Sequence, residues 1–180
     1  MDMLIFTSRM LGHMAHGALQ RALGKVQAAP MIFRLWPVDL DVYCHMNNAN
    51  YLRVAELCRW KQMALTGLAG AAAKRGWMFL IAEQTIEYRT PIKPFQMYRV
   101  RNEMAVVDDK WIHYHHYFED KTGSKQYAVI NMRAVVKHTS GRTIRPSDIL
   151  TDCPDIANWL SSTIDANLET TSASASDQES

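Results

Sequence analysis

Two aspartates, a histidine and three asparagines crowd into "DLDVYCHMNNANYL", residues 39–52, just ahead of a run with helical periodicity. One Asn or Asp satisfies part of a helix's unpaired N–H set, so a polar entrance has an ordinary structural use. This many exceed it. Asp41 stands a few residues before the helix N-terminus, whose free N–H groups can also stabilise a developing oxyanion. A carboxylate there can attack a carbonyl or deprotonate water, which is a hydrolytic pairing. The competing reading is that Asp39 and Asp41 only cap the turn. His45 could hold a substrate or titrate near neutral pH, or be structural. Asn47, Asn48 and Asn50 are each competent caps, and no cap requires all three. Tyr51 either faces a ligand or joins the core, and Glu56 is expected to pair with Arg53 or Arg59 at helical spacing.

Other chemistry has less support. In "HYHHYF" His113 and His115 share one face of a strand, but no third ligand lies nearby in sequence, so no metal is expected. Cys44 and Cys58 are nucleophile candidates beside His45, though free cysteines are usually small buried hydrophobes. The chain has no evident Ser-His-Asp set and no phosphate-binding glycine motif. No cofactor is expected.

The elements that must position these residues belong to an ordinary globular composition: 180 residues, 48% hydrophobic and 21% charged. That length fits one domain plus extensions. A net charge of +2 falls short of a concentrated basic patch, so no nucleic-acid partner is expected. Three cysteines without a CxxC pair argue against a disulfide framework and a structural zinc site, and fit a reducing, cytoplasmic setting. No stretch approaches a spanning helix, and no signal peptide is evident.

Residues 1–28 form an extension with no acidic residue between Asp2 and Asp39. Arg9, His13, His16 and Gln20 recur at helical spacing opposite Leu4, Leu11, Leu19 and Ala22. Three readings compete for residues 1–26: a helix packed on the domain or a partner, a peripheral membrane contact, and a targeting peptide. Gly12, Gly17 and Gly24 weaken the helix under all three.

"MIFRLW" reads as a first strand that ends at Pro37. The helix after the polar loop buries Tyr51, Val54, Ala55, Cys58 and Leu65 on one face, with Leu57, Trp60 and Ala64 widening the arc, and stops at Gly67. Four β-like runs follow, 77–90, 95–107, 110–120 and 124–139, separated by "PIKP", "DDK" and "KTG". Their close spacing predicts antiparallel neighbours. The most economical packing is α+β, with an antiparallel five-stranded sheet curved around one long helix. Within 143–168 a short C-terminal helix is expected, with Asp152 as cap before Pro154. Residues 169–180 read as a disordered tail.

"DLDVYCHMNNANYL", the long helix and the four-strand run together resemble the hotdog-fold acyl-CoA thioesterases of the 4-hydroxybenzoyl-CoA thioesterase superfamily. The resemblance covers roughly 30–139 within a domain spanning 29–142, and is nearest to the long-chain acyl-CoA thioesterase and THEM6-like branches. The family signature reads Asp, two variable residues, Gly-His-hydrophobic-Asn-Asn, then Tyr-Leu. The resemblance implies that Asp41 is the catalytic nucleophile or base and that the Asn48 N–H polarises the thioester carbonyl. It places His45, Asn47 and Tyr51 around the same pocket. It further implies an acyl-CoA or acyl-carrier-protein substrate, a role in lipid metabolism, and a homodimer or homotetramer. CoA phosphates would rest on basic residues drawn from Lys93, Arg99, Arg101, Lys137 and Arg142. The family's glycine before the histidine is Cys44 here, an altered position where unusual dihedrals are needed. The alternatives are a non-catalytic acyl-ligand binder or scaffold, and a hotdog hydratase.

Overall fold

The computed structural model describes residues 3–26, 29–106, 109–154 and 156. Helix α1 spans Met3–Ala22, strand β1 Met31–Arg34, helix α2 Asn48–Leu65 and helix α3 Leu68–Arg75. Strands β2 (Trp77–Tyr88), β3 (Met97–Val106), β4 (Ile112–Glu119), β5 (Gln126–His138) and β6 (Thr143–Ile144) follow, then helix α4 (Pro146–Asp152). A single 3-10 turn, Pro37–Asp39, separates β1 from the polar loop.

The sheet order is β1-β3-β4-β5-β2, with the short β6 paired to β5 and every pairing antiparallel. The expected neighbours β3, β4 and β5 form a meander. β2 does not pair with β3: it lies beyond β5, in register from Trp77 opposite His138 to Tyr88 opposite Ala128. Turn residues report only local reversals, so nothing in "PIKP" signals that the chain crosses to the opposite edge. The two-residue β6 is too short to show a period and was not expected.

Strand alternation puts Tyr98, Val100 and Met104 of β3, and Ile112, Tyr114, His116 and Phe118 of β4, on the buried face. α2 lies against it, burying Tyr51, Val54, Ala55, Leu57, Cys58 and Leu65. Tyr51 meets the ring of Phe118 at 5.0 Å, and Phe118 continues through Tyr98 to Phe33 at 6.1 and 5.6 Å, an aromatic seam from helix to β1. Together these elements form the hotdog arrangement, a curved antiparallel sheet around a central helix.

α1 packs along α2. A Cβ on Gly17 would come within 2.6 Å of the Lys61 carbonyl oxygen, so glycine there lets the two backbones approach. The side of α1 facing the domain carries Phe6, Met10 and His13, the last against the Phe33 ring at 5.8 Å. Leu4, Leu11 and Leu19 point to solvent. The packed-helix reading therefore holds for the side carrying Phe6, Met10 and His13, while His16 is exposed and the leucine face is uncovered among the described residues. Gly12 and Gly17 lie inside the helix, which ends before Gly24, whose φ is +69°.

At the C-terminal end, Asp152 is not the expected N-cap: it is the last residue of α4, which starts earlier, at Pro146 after the cap Arg145. Pro154 and Ile156 are helical, but the rest of that expected helix, and the expected tail, lie outside the described residues.

Candidate active site at the entrance of the central helix

The loop between the 3-10 turn and α2 is closed by its own polar groups. Asp41 Oδ1 accepts the backbone N–H groups of Tyr43 (2.9 Å) and His45 (3.1 Å), and the Asp41 N–H donates to the His45 carbonyl at 2.8 Å. The turn-capping role expected of Asp41 is thus present, and it engages one carboxylate oxygen. Oδ2 accepts no hydrogen bond among the described residues, which leaves its lone pairs available. Cys44 sits inside this turn with φ of +58°, a left-handed conformation that glycine adopts freely and other residues adopt at a cost. The geometry explains why glycine suits this position.

Asn47 is the N-cap of α2, its Oδ1 accepting the Ala49 N–H at 2.9 Å. Asn50 is buried. Its amide donates to the Asp39 carbonyl at 2.8 Å, and its oxygen accepts from Arg53 at 3.0 Å. The spare asparagine is Asn48, exposed at the first helical position, where a backbone N–H has no intrahelical acceptor. Asp39 is buried and lies 3.9 Å from Arg9 of α1. It shares no role with Asp41: its carboxylate faces the extension, while its carbonyl ties down Asn47 and Asn50.

Tyr51 is buried between Tyr88 (5.2 Å) and Phe118. Burial pushes its hydroxyl up to about 12, offset in part by a backbone hydrogen bond from Ile92, and the nearby charges of Tyr88 and Asp41 act in the same direction as burial. Tyr51 is therefore both a core residue and a neighbour of the carboxylate. Asp41, His45, Asn47, Asn48 and Tyr51 all gather at this one junction.

Two contributors had no sequence signal. Ile92 is fully buried and its carbonyl accepts the Met46 N–H at 3.1 Å, so the "PIKP" connector forms one wall of the junction. Tyr88, at the end of β2, forms another, brought there by the crossing of β2 to β5. Beyond the loop, Val42 and Tyr43 are 91% and 78% exposed, an apolar tip projecting from the surface.

Several expectations are corrected. Glu56 forms no ion pair with Arg53 or Arg59. Its Oε1 accepts from the Trp60 indole at 3.4 Å, and Arg53 turns to Asn50. Cys58 is no nucleophile candidate, because complete burial pushes its thiol up to about 12. Of the basic residues, Arg99 and Arg101 are held by Glu119 at 3.0 and 3.2 Å, and Arg101 also by Glu103. Lys93, Lys137 and Arg142 form no ion pair among the described residues. His115 Nδ1 lies 2.7 Å from Asn131 Oδ1, an ordinary cross-strand contact.

The family model for the thioesterase-like superfamily matches residues 35–160. This chain belongs to that superfamily. Protein THEM6 of Danio rerio is 30% identical over 129 residues, which is 68% of this chain and 61% of that protein, so the chain matches about three-fifths of its relative's length. The probable thioesterase YbaW of Escherichia coli superposes with a TM-score of 0.65 at 17% identity, covering 70% of this chain and 96% of that one. A Staphylococcus aureus protein solved in complex with CoA superposes with a TM-score of 0.63 at 12% identity, covering 74% and 84%. At these identities the two structures establish the hotdog fold. Within that superfamily the chain is similar to THEM6 proteins.

Proposed function

We propose that this chain hydrolyses an acyl thioester, with coenzyme A or an acyl-carrier protein as the thiol. The observation that carries the reading is the Asp41 carboxylate: one oxygen is fixed by two backbone N–H groups, the other is free, and the unsatisfied first turn of α2 follows. Water loses a proton to Asp41 as its oxygen adds to the thioester carbon. The carbonyl electrons move onto oxygen, and the Asn48 N–H donates a hydrogen bond to the oxyanion. Collapse breaks the C–S bond, and the leaving thiolate takes up the proton held by Asp41, releasing acid and thiol. Direct attack by Asp41 through an acyl-enzyme anhydride is the nucleophilic variant of the same geometry. His45, Asn47 and Tyr51 shape the pocket without exchanging protons in this scheme.

The CoA complex of the Staphylococcus aureus relative favours CoA as carrier, and Lys93, beside Ile92 at the junction, is the basic residue best placed in sequence to meet its phosphates. Homodimerisation is supported by β2, a 12-residue edge strand whose Met78, Leu80, Ile81 and Tyr88 are exposed. A long open edge with apolar side chains is a template for pairing with a second copy. The exposed Leu4, Leu11 and Leu19 of α1 support a peripheral membrane or partner contact, which vesicle co-sedimentation of the whole chain with and without residues 1–26 tests. No helix among the described residues is long and apolar enough to cross a membrane.

The test is thiol release from short, medium, long and aromatic acyl-CoAs. Turnover of any member supports the reading. Tight binding with no turnover of any member would replace it with the acyl-ligand binder, a reading favoured by the use of Asp41 Oδ1 as a turn acceptor and by the positive φ of Cys44.

A further inference from the structure

A second polar feature lies farther along α2. Between the C-terminal half of α2, α3 and the first half of β2 runs a cavity of about 570 Å³, within the range of small-ligand pockets. Its walls are apolar: Trp60, Met63, Trp77, Phe79, Tyr114 and Ala134. Two charged residues also line it, Glu56 and Arg59. Glu56 is turned toward the Trp60 indole. Arg59 makes no hydrogen bond or ion pair among the described residues, and its Nε is buried.

A buried guanidinium N–H without an acceptor is costly, because desolvation is not repaid. The Glu56 charge acts on it from the same helix without a hydrogen bond to it, and the side chains of β4 offer no anion. Tyr114 is a buried neutral phenol, and His116 is a buried imidazole whose Nε2 also lacks a partner. The Nε–H has no acceptor among the described residues. An acidic ligand group would supply one, since a carboxylate matches the planar N–H fork of arginine and makes hydrogen bonds stronger than neutral ones.

Two elements, α2 and β2, run from this cavity to the helix entrance. β2 runs from Trp77 and Phe79, in the cavity wall, to Tyr88, which stands against Tyr51. Arg59 is eight residues beyond Tyr51 on α2, a separation of about 12 Å at 1.5 Å per residue. An extended acyl group whose thioester lay at the entrance would direct its far end toward Arg59.

We propose that Arg59 selects acyl groups ending in a carboxylate, so that the substrates are ω-carboxyacyl thioesters, released as dicarboxylic acids. This rests on the thioesterase reading above. The apolar walls hold the methylene chain, and the guanidinium receives the terminal carboxylate.

The experiment compares kcat/KM for matched pairs of medium-chain acyl-CoAs, one ending in methyl and the other in carboxylate, in the wild-type chain, Arg59→Met and Arg59→Lys. The wild type is expected to favour the carboxyl-ended member. Arg59→Met is expected to reverse the order, lowering kcat/KM for the carboxyl-ended member by about tenfold to a hundredfold and raising it for the methyl-ended one. Arg59→Lys, which keeps the charge without the fork, is expected to retain part of the preference. Should Arg59→Met fail to fold by thermal unfolding, the wild-type preference and its weakening in Arg59→Lys decide. Hydrolysis that favours the methyl-ended member, or a preference unmoved by both variants, overturns the assignment and leaves thioester hydrolysis standing. A chain that cleaves neither member is no thioesterase for medium-chain acyl-CoAs. Calorimetry with uncleavable thioether analogues then decides the cavity separately: Arg59-dependent binding of the carboxyl-ended analogue supports the assignment, and equal binding of both analogues overturns it.

Discussion

The two ends of α2 treat buried polar groups in opposite ways. At the N-terminal entrance Asp39, Asn47 and Asn50 are partnered with backbone, so polarity there holds the loop in shape. In the C-terminal half, Gln62 is 7% exposed and neither amide atom has a partner among the described residues, and on β4 His116 is fully buried with one nitrogen bonded to Asn102 at 2.7 Å and the other unpartnered among them. Polar side chains that support a fold are visible by their partners. Those without partners carry a desolvation cost that hydrogen bonding does not offset.

The largest effect expected concerns the entrance. Asp41→Asn keeps an oxygen that can accept from Tyr43 and His45 while removing the charge. Its kcat for thioester hydrolysis should fall about a hundredfold or more with the thermal transition unmoved. If activity survives, the carboxylate only shapes the turn. Next come matched amide replacements. Asn50→Leu removes one of the two hydrogen bonds to the Asp39 carbonyl and the acceptor of Arg53, and should cost about 1 kcal/mol or more in denaturant unfolding, whereas Gln62→Leu should leave stability unchanged or raise it by about 1 kcal/mol. Equal losses would erase the contrast between the two ends.

His116 sharpens it further. Burial, reinforced by the Arg59 charge, pushes its imidazole from 6.5 down to about 3. Below its unfolded value the unfolded chain takes up a proton that the folded chain refuses, so stability falls with pH. The loss runs from about pH 6.5 to about pH 3, at roughly 1.4 kcal/mol per pH unit. The difference in unfolding free energy between wild type and His116→Gln, followed over that window, should shrink as this slope disappears from the variant. A parallel pair of curves would mean that the imidazole is already protonated in the fold. The smallest effect belongs to Cys44→Gly, which relieves a positive φ and should add about 0.5–1 kcal/mol to stability without loss of activity.

Much of this architecture was legible in residue order. β-like composition bounded by prolines, glycines and aspartates marked all four long strands, and Gly67 marked the end of α2. The pairing of β2 with β5 was not legible, because local turn chemistry carries no information about a partner many residues away. The entrance residues were visible as an excess of caps, and their division of labour was not: only the fold shows that Asn47 and Asn50 are committed and Asn48 is spare. Glu56 misled because helical spacing offers several partners, and Trp60 at i+4 prevailed over both arginines. Ile92 reached the site through tertiary packing alone. The outward turn of the α1 leucines follows from Gly17, whose close approach to Lys61 sets which face of α1 meets the domain.

The central claim is that the Asp41 carboxylate and the Asn48 N–H act on the same thioester. The most direct measurement is a crystal structure with an acyl-CoA analogue that keeps the carbonyl and replaces the sulfur by a methylene. The account predicts the carbonyl oxygen within hydrogen-bond distance of the Asn48 N–H and Asp41 Oδ2 facing the carbonyl carbon, directly or through one water. A carbonyl bound elsewhere, with Asp41 still closed on its own turn, would contradict it.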